Sequence, residues 1–227
     1  ERWLVGTTVS SVRVASSRTF ATLWACLAGL SCLHHVLGGL ASQVGAPRLW
    51  DIDVRTAVAR AELEDREMPA AYHRIKFTRC GGAPGSSPAF IEIDTTRPEL
   101  IPACVALVAH PDDPRYQPLF GTEVETPLFG VKVPVRAHTL ADPDKGSGIA
   151  MICTFGDITD VTWWRELNLP VRSIIGRDGR ILPTAPDGVA TAPYEELVGK
   201  NVKQAQKRIV EMLEASGDLV GEPKVIE

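Results

Sequence analysis

From residue 71 onward, short apolar stretches are cut off from one another by clusters of Gly, Pro, Ser and Asp. That punctuation limits the chain to short strands joined by turns, with helices only where the breakers thin out. "AYHRIKFTR" (71–79) and "AFIEIDTT" (89–96) read as strands. The loop "CGGAPGSSP" (80–88) between them makes a hairpin of the pair. "TEVETPLFGVKVPVRAH" (122–138) gives two further short strands around a turn. The turn cluster "ADPDKGSG" (141–148) leads into the strand "IAMICT", and "PVRSIIGRDGRIL" is a hairpin around Arg177-Asp178-Gly179.

Three helices are expected among these strands. "ELIPACVALVAH" (99–110) reads as a helix with Pro102 in its first turn, where a missing N–H costs little, and with His110 closing it. "GDITDVTWWRELN" starts a helix with Asp157 and Asp160 in its opening turn. "YEELVGKNVKQAQKRIVEMLEASG" is the strongest of the three. Val202, Ala205, Ile209, Met212 and Leu213 recur at helical spacing, and Gly217 ends it. Many short strands with a few helices at the edges imply a mixed α/β fold: a small closed or strongly curved β-barrel core with peripheral helices.

The composition changes abruptly near Arg48, so the chain divides into a low-charge N-terminal segment, 1–46, and a domain over 47–227. "LWDIDV" (49–54) reads as a short strand or turn. An acid-rich segment follows to residue 68, and its alternation fits a strand as well as a helix. Phe20 to Ala41 carry no Asp, Glu, Lys or Arg, which invites a transmembrane or signal-peptide reading. His34, His35, Gly29, Gly38 and Gly39 interrupt that run, which favours a buried or poorly ordered appendage. A third reading is that the stretch is not a native segment. Five cysteines without C-x-x-C spacing exclude a disulfide framework or structural zinc site as the organising device, and fit a reducing, cytoplasmic setting. A formal net charge of −4 leaves any nucleic-acid partner to a local basic patch. Lys200, Lys203, Lys207 and Arg208 on the last helix, with Arg172, Arg177 and Arg180 before it, supply such a patch or a solvated face.

Two constellations carry chemistry. At the corner Thr95-Thr96-Arg97-Pro98-Glu99 a strand end aims hydroxyls into the adjoining cleft. Arg97 adds a planar fork of donors suited to carboxylate or phosphate, and Glu99 orients it or caps the next helix. The plain alternative is a helix cap with a surface ion pair. In "DKGSGIAMICTFGDITD" (144–160), Gly146 and Gly148 let backbone approach a ligand and Ser147 adds a hydroxyl. Asp157 and Asp160 share one helix face, either to complement the helix dipole or to hold a cation such as an α-ammonium group. Metal ligation has little support. Standard hydrolase signatures are missing, and Cys153 in an apolar strand reads as a buried hydrophobe rather than a nucleophile. His73, His110 and His138 are scattered.

"LWDIDVRTAVARAELEDRE", "TTRPELIPACVALVAHPDDPRYQPLFG", "DKGSGIAMICTFGDITDVTWWRELNLP" and "GKNVKQAQKRIVEMLEASGDLVGEP", from about 47 to about 225, resemble the connective-peptide insertion of valyl-tRNA synthetases. The likeness is to the bacterial subgroup with "TTRPEL" and "CTFGD". It implies the editing-domain fold shared by the valyl, isoleucyl and leucyl enzymes, and hydrolysis of the ester of mischarged threonyl-tRNA(Val). By resemblance, Asp160 binds the substrate α-ammonium and Asp157 helps define the threonine pocket. Thr95, Thr96 and Arg97 line that pocket and the terminal ribose. Lys145, Gly146, Ser147 and Gly148 flank the terminal adenosine, and Glu99 lies near the tRNA 3′ end. Asp160, Thr95 and Thr96 are the expected catalytic residues, with water rather than a side chain attacking the ester. Leu100, Met151 and Cys153 stand where many relatives carry polar residues. Neither HIGH nor KMSKS is present, so ATP and Mg belong to a synthetic core outside this sequence and no cofactor is expected for editing. The implied partners are the 3′ end of tRNA(Val) and the remainder of the synthetase, with no membrane and a monomeric state. The alternative is a catalytically weak tRNA-end-binding module that needs the rest of the enzyme. Related isoleucyl or leucyl editing is a third reading, which "CTFGDITDVTWW" argues against.

Overall fold

The computed structural model describes residues 2–14, 41–58, 70–81, 89–156 and 158–226. The uncharged run up to residue 40, the acid-rich stretch 59–69, the loop residues 82–88 and Asp157 fall outside the described residues. The chain divides into two compact units, Thr7–Arg48 and Glu1–Gly6 with Leu49–Glu227. Strands β1 (Arg2–Val14), β2 (Ala41–Asp51) and β3 (Thr56–Val58) form a three-stranded sheet in that order. No helix among the described residues is long and apolar enough to cross a membrane.

The larger unit is a mixed α/β structure around a strongly curved, nearly closed sheet. The expected hairpin is present as β4 (Ala70–Arg79) and β5 (Phe90–Thr95), antiparallel from His73↔Thr95 to Thr78↔Phe90. Its alternation sets the register. Ile75 pairs with Ile93 and Phe77 with Ile91, and all four side chains are buried on one face, while Arg74 and Lys76 turn outward. Slipping the pairing by one residue would expose that whole set. Then come β6 (Ala106–Ala109), β7 (Glu123–Glu125), β8 (Lys132–Ala137) and β9 (Ile149–Ile152). The order through the sheet is β10-β4-β7-β8-β6-β9, β10 being Lys224–Ile226, with β5 on the other edge of β4. β6 runs parallel to β8 and antiparallel to β9. β10 (Lys224–Ile226) pairs antiparallel with the start of β4, Ile226 opposite Ala70. The curve brings β5 round towards β9. There the Asp94 N–H donates to Ser147 Oγ, and that hydroxyl donates on to the Ile149 carbonyl.

Two helix expectations are corrected. Residues 99–110 are not one helix: a short 3-10 helix, Pro98–Ala103, gives way to strand β6, and His110 follows a strand. Every residue from Pro98 to Ala109 is buried, so both faces of the segment are apolar and no periodicity separates strand from helix. Residues 194–217 also divide. After α1 (Ile158–Glu166), α2 covers only Thr191–Glu195, Gly199 turns the chain at φ 71°, and α3 (Val202–Ser216) begins afresh, so Lys200 lies ahead of it. A capping box starts α3. The Gln204 N–H donates to Asn201 Oδ1 at 2.9 Å, and the Asn201 N–H donates to Gln204 Oε1 at 3.1 Å. Gly217, at φ 78°, ends it. Val202, Ala205, Ile209 and Leu213 bury the helix's apolar stripe in the core. The predicted hairpin at Arg177-Asp178-Gly179 is present, closed by an Ile175–Ile181 bridge.

Candidate functional site

The end of β5 delivers Thr95, Thr96 and Arg97 to the rim of a cavity of about 350 Å³. The corner is fixed locally: the Arg97 N–H donates to Thr95 Oγ1 at 3.1 Å, a turn that threonine makes with its own backbone. From outside, Gln206 of α3 donates from Nε2 to the Thr96 carbonyl at 3.1 Å. The Arg97 fork then reaches Glu99 Oε1 from Nε at 3.1 Å and the Gly156 carbonyl from Nη1 at 2.7 Å.

Gly156 is gripped from its other side too. Its N–H donates to Asp160 Oδ2 at 3.0 Å. One peptide segment thus connects the arginine of the corner to the carboxylate in the first turn of α1. A larger residue there would crowd its neighbours. A Cβ at 156 would lie 3.0 Å from Asp160 Oδ2 and 3.1 Å from Leu100 Cδ1. The preceding Phe155 holds a left-handed backbone, φ 70°, and is kept there by burial and by edge-on packing against the Trp164 ring at 5.1 Å.

Opposite the corner, the turn cluster 141–148 closes the cavity with Asp142, Lys145 and Gly148. Arg115 pins this loop. It chelates Asp113, with Nη2 2.6 Å from Oδ2, and donates from the same Nη2 to the Pro143 carbonyl at 2.8 Å. Tyr116 donates its hydroxyl to the Ser147 carbonyl at 2.6 Å. Gly148 sits at φ 80°, where a Cβ would meet the Pro143 carbonyl at 2.7 Å.

Of the residues singled out in the sequence, Thr95, Thr96, Arg97, Lys145, Gly148, Cys153 and Asp160 line this cavity together. Glu99, Gly146 and Ser147 do not. Glu99 is 2% exposed and stands behind Arg97, with Oε2 unpartnered. Burial raises its carboxyl above the usual glutamate range, against the pull of Arg97. Gly146 and Ser147 pack against Asp94 from the loop, and Asp94 is paired with Arg74 at 2.8 and 2.9 Å. Asp157 lies outside the described residues. Sequence reasoning missed Tyr72, Asp94, Leu140, Thr159 and Trp163, which also line the cavity. Thr159 alone carried a usable signal, standing beside Asp160 in the opening turn of a helix.

The lining restricts the chemistry. Burial pushes the Cys153 thiol well above its usual range, with Cys104 beside it adding to the effect, so no thiolate nucleophile forms there. None of the lining residues is histidine. His138 is 2.7 Å from Glu166, His110 accepts from the Asp112 N–H, and His73 packs beside the core with its pKa lowered by burial. Among the described residues no His, Cys, Asp and Glu group is arranged to hold a metal ion. What the cavity offers is a buried carboxylate, a guanidinium, several hydroxyls and an apolar floor.

The basic residues are mostly spent on structure. Arg172 donates to the Cys104 carbonyl, Arg180 to Gly199, and Arg208 pairs with Glu196 and Glu211. Arg177 stacks on Trp50 and accepts its indole N–H on the backbone carbonyl.

No family model matches the chain. Valine--tRNA ligase of Leifsonia xyli subsp. xyli is 64% identical over 202 residues, 87% of this chain and 23% of that protein. The valine--tRNA ligases of Thermobifida fusca and Salinispora arenicola are 63% and 57% identical over 86% and 85% of this chain, each covered for 22% of its length. The chain corresponds to one segment of the valyl-tRNA synthetases. It spans less than a quarter of these synthetases, so what it does within such an enzyme has to be argued from the cavity.

Proposed function

We propose that this segment is the editing hydrolase of a valyl-tRNA synthetase, cleaving the ester between threonine and the 3′ end of tRNA(Val). The observation that supports it most is the Gly156 peptide held between Asp160 and Arg97. That grip sets a carboxylate only 6% exposed beside the Thr95-Thr96 corner, in a cavity sized for a small amino acid on a sugar.

In this reading Asp160 receives the α-ammonium of the ester, an ion pair strengthened by the low local dielectric. Thr95 and Thr96 orient the ester end, and Lys145 and Tyr72 lie at the cavity wall towards the nucleotide. Water adds to the ester carbonyl, and collapse of the adduct returns the bonding pair to the ribose oxygen, which takes a proton. Threonine leaves as the free acid. No side chain becomes covalently attached, consistent with the neutral Cys153 and the lack of a lining histidine, so rate enhancement rests on orientation and electrostatics. Such a site is useful because an apolar synthetic pocket rejects an isostere bearing an extra hydroxyl only weakly, whereas a polar second pocket selects for it.

The test is deacylation of Thr-tRNA(Val) and Val-tRNA(Val) side by side, with Asp160→Ala as control. Selective loss of threonine, abolished in the variant, is the expected result. Equal rates on both esters, or equal rates for wild type and Asp160→Ala, would remove the proofreading role.

A further inference from the structure

His138 stands behind the cavity wall and joins two elements that line it. It follows β8, and its own N–H donates to the Ala109 carbonyl of β6 at 2.9 Å. Its side chain is only 10% exposed. On one side of the ring the Leu140 N–H donates to Nδ1 at 3.1 Å, and the Ala141 N–H donates to the His138 carbonyl at 3.1 Å. Leu140 and Ala141 line the cavity and lead into the turn that carries Asp142, Lys145 and Gly148. On the other side Nε2 is 2.7 Å from Glu166 Oε2, and the ring meets Trp163 edge-on with centroids 6.3 Å apart. Trp163 is three residues from Asp160 and three from Glu166 on α1, so two steps between facing neighbours lead from the cavity carboxylate to the ring.

Nδ1 accepts from Leu140 only while it carries no proton of its own. Nε2 then holds the ring's hydrogen and donates it to Glu166. A proton added at Nδ1 sets two donors against each other on the Leu140 side. On the Glu166 side it adds charge to a hydrogen bond that already exists. The ring therefore keeps α1 and lets the Leu140 rim go. The ionisable groups on the elements around it are Asp160, Arg165 and Glu166 of α1, His110 beyond β6, Arg136 of β8 and Asp142 of the turn. Of these, Glu166 alone pairs with the ring among the described residues.

We infer that His138 is a positioning residue of the cavity: its neutral ring clasps the Leu140–Ala141 rim to α1, and protonation releases the rim. This assigns the site a regulation by pH. It rests on the editing role proposed above for its substrate, and on the ring's contacts for its geometry. The rim is held at the upper end of the range in which imidazoles change charge, about pH 5 to 8, and freed at the lower end.

The experiment uses the full 227-residue chain as wild type, His138→Asn and His138→Leu. Asparagine keeps an acceptor for the N–H two residues on and does not titrate. Leucine keeps bulk and removes the acceptor. Amide hydrogen exchange at Leu140, followed by NMR and corrected for the intrinsic effect of pH, needs no substrate. Protection in wild type should fall about fivefold or more from about pH 8 to about pH 5, the effect of one lost hydrogen bond. It should hold steady in His138→Asn and be low throughout in His138→Leu. Deacylation of Thr-tRNA(Val) is read as the ratio of wild type to His138→Asn at each pH, which cancels the titrations the two reactions share. That ratio should fall about threefold or more over the same range. Circular dichroism at each pH confines the comparison to folded protein, and His138→Asn alone decides where His138→Leu fails to fold. Leu140 protection that follows pH no more in wild type than in His138→Asn, or a ratio that stays constant, overturns the inference. A constant ratio with threonyl deacylation intact leaves the editing role standing. The expected exchange pattern without any deacylation by wild type removes the editing role and leaves the clasp in place.

Discussion

Arg97 and Asp160 hold opposite ends of the same residue: the Gly156 carbonyl accepts from Arg97 at 2.7 Å and its N–H donates to Asp160 at 3.0 Å. The two charged groups are therefore positioned by one shared backbone unit. Arg97→Lys should disturb Asp160 as well, because an ammonium cannot serve Glu99 and Gly156 with a rigid fork. The expected cost is about 1–3 kcal/mol of stability in urea unfolding, with threonyl deacylation falling more than that loss of folded protein explains.

Glu99 makes stability depend on pH with a definite sign. Its folded pKa is raised above the ordinary value of 4.5 by burial. Between the two values the folded state holds more protons than the unfolded state, so stability declines as pH rises through that interval. Glu99→Gln removes the titration while keeping an acceptor for Arg97. The variant should gain on wild type as pH is raised from 4.5, and the gap should level off above the folded pKa. Urea titrations across that range are the check. A gap that narrows with rising pH would show the carboxyl to be stabilised in its charged form.

Gly148→Ala should damage the cavity from its far wall. The residue sits at φ 80°, and an added Cβ would come within 2.7 Å of the Pro143 carbonyl, which cannot swing away as a side chain would. A loss of at least about 2 kcal/mol is expected from backbone strain and overlap, with the melting temperature reporting it.

Gln206→Ala tests whether α3 steadies the corner. It removes one hydrogen bond to the Thr96 carbonyl, worth about 1 kcal/mol. Deacylation should fall roughly threefold to tenfold through misplacement of the hydroxyls, with little change in far-ultraviolet circular dichroism.

Ile209→Ala provides the contrast. Ile209 is fully buried in the stripe of α3, and its truncation should cost about 2–5 kcal/mol. Activity per folded molecule should stay close to wild type in a deacylation assay corrected for unfolding.

The hairpin of β4 and β5 could be read from the chain because each strand is half-buried, so its pattern alternates and its turn residues announce themselves. Residues 106–109 could not be, because a strand covered on both faces writes only an apolar run, and a run is equally a helix. The break before α3 is hidden for a different reason. The apolar spacing of Val202, Ala205 and Ile209 continues back through Val198 and Tyr194, across Gly199 and Asn201, so the pattern alone does not mark the break. At the site, the Thr95-Thr96-Arg97 corner and the Asp160 segment were prominent as motifs. Their meeting point was not, since Gly156 joins them only after the sheet has curved. Tyr72 and Trp163 gave no local sign at all: what places them on a wall is the closure of the barrel around them.

That closure has one more outcome. β10 lies against the start of β4, with Ile226 across from Ala70, so the first and last strands of the curved sheet are neighbours. Chain ends that meet in this way suit the unit to insertion within a longer polypeptide, since the host chain needs to open at one place alone.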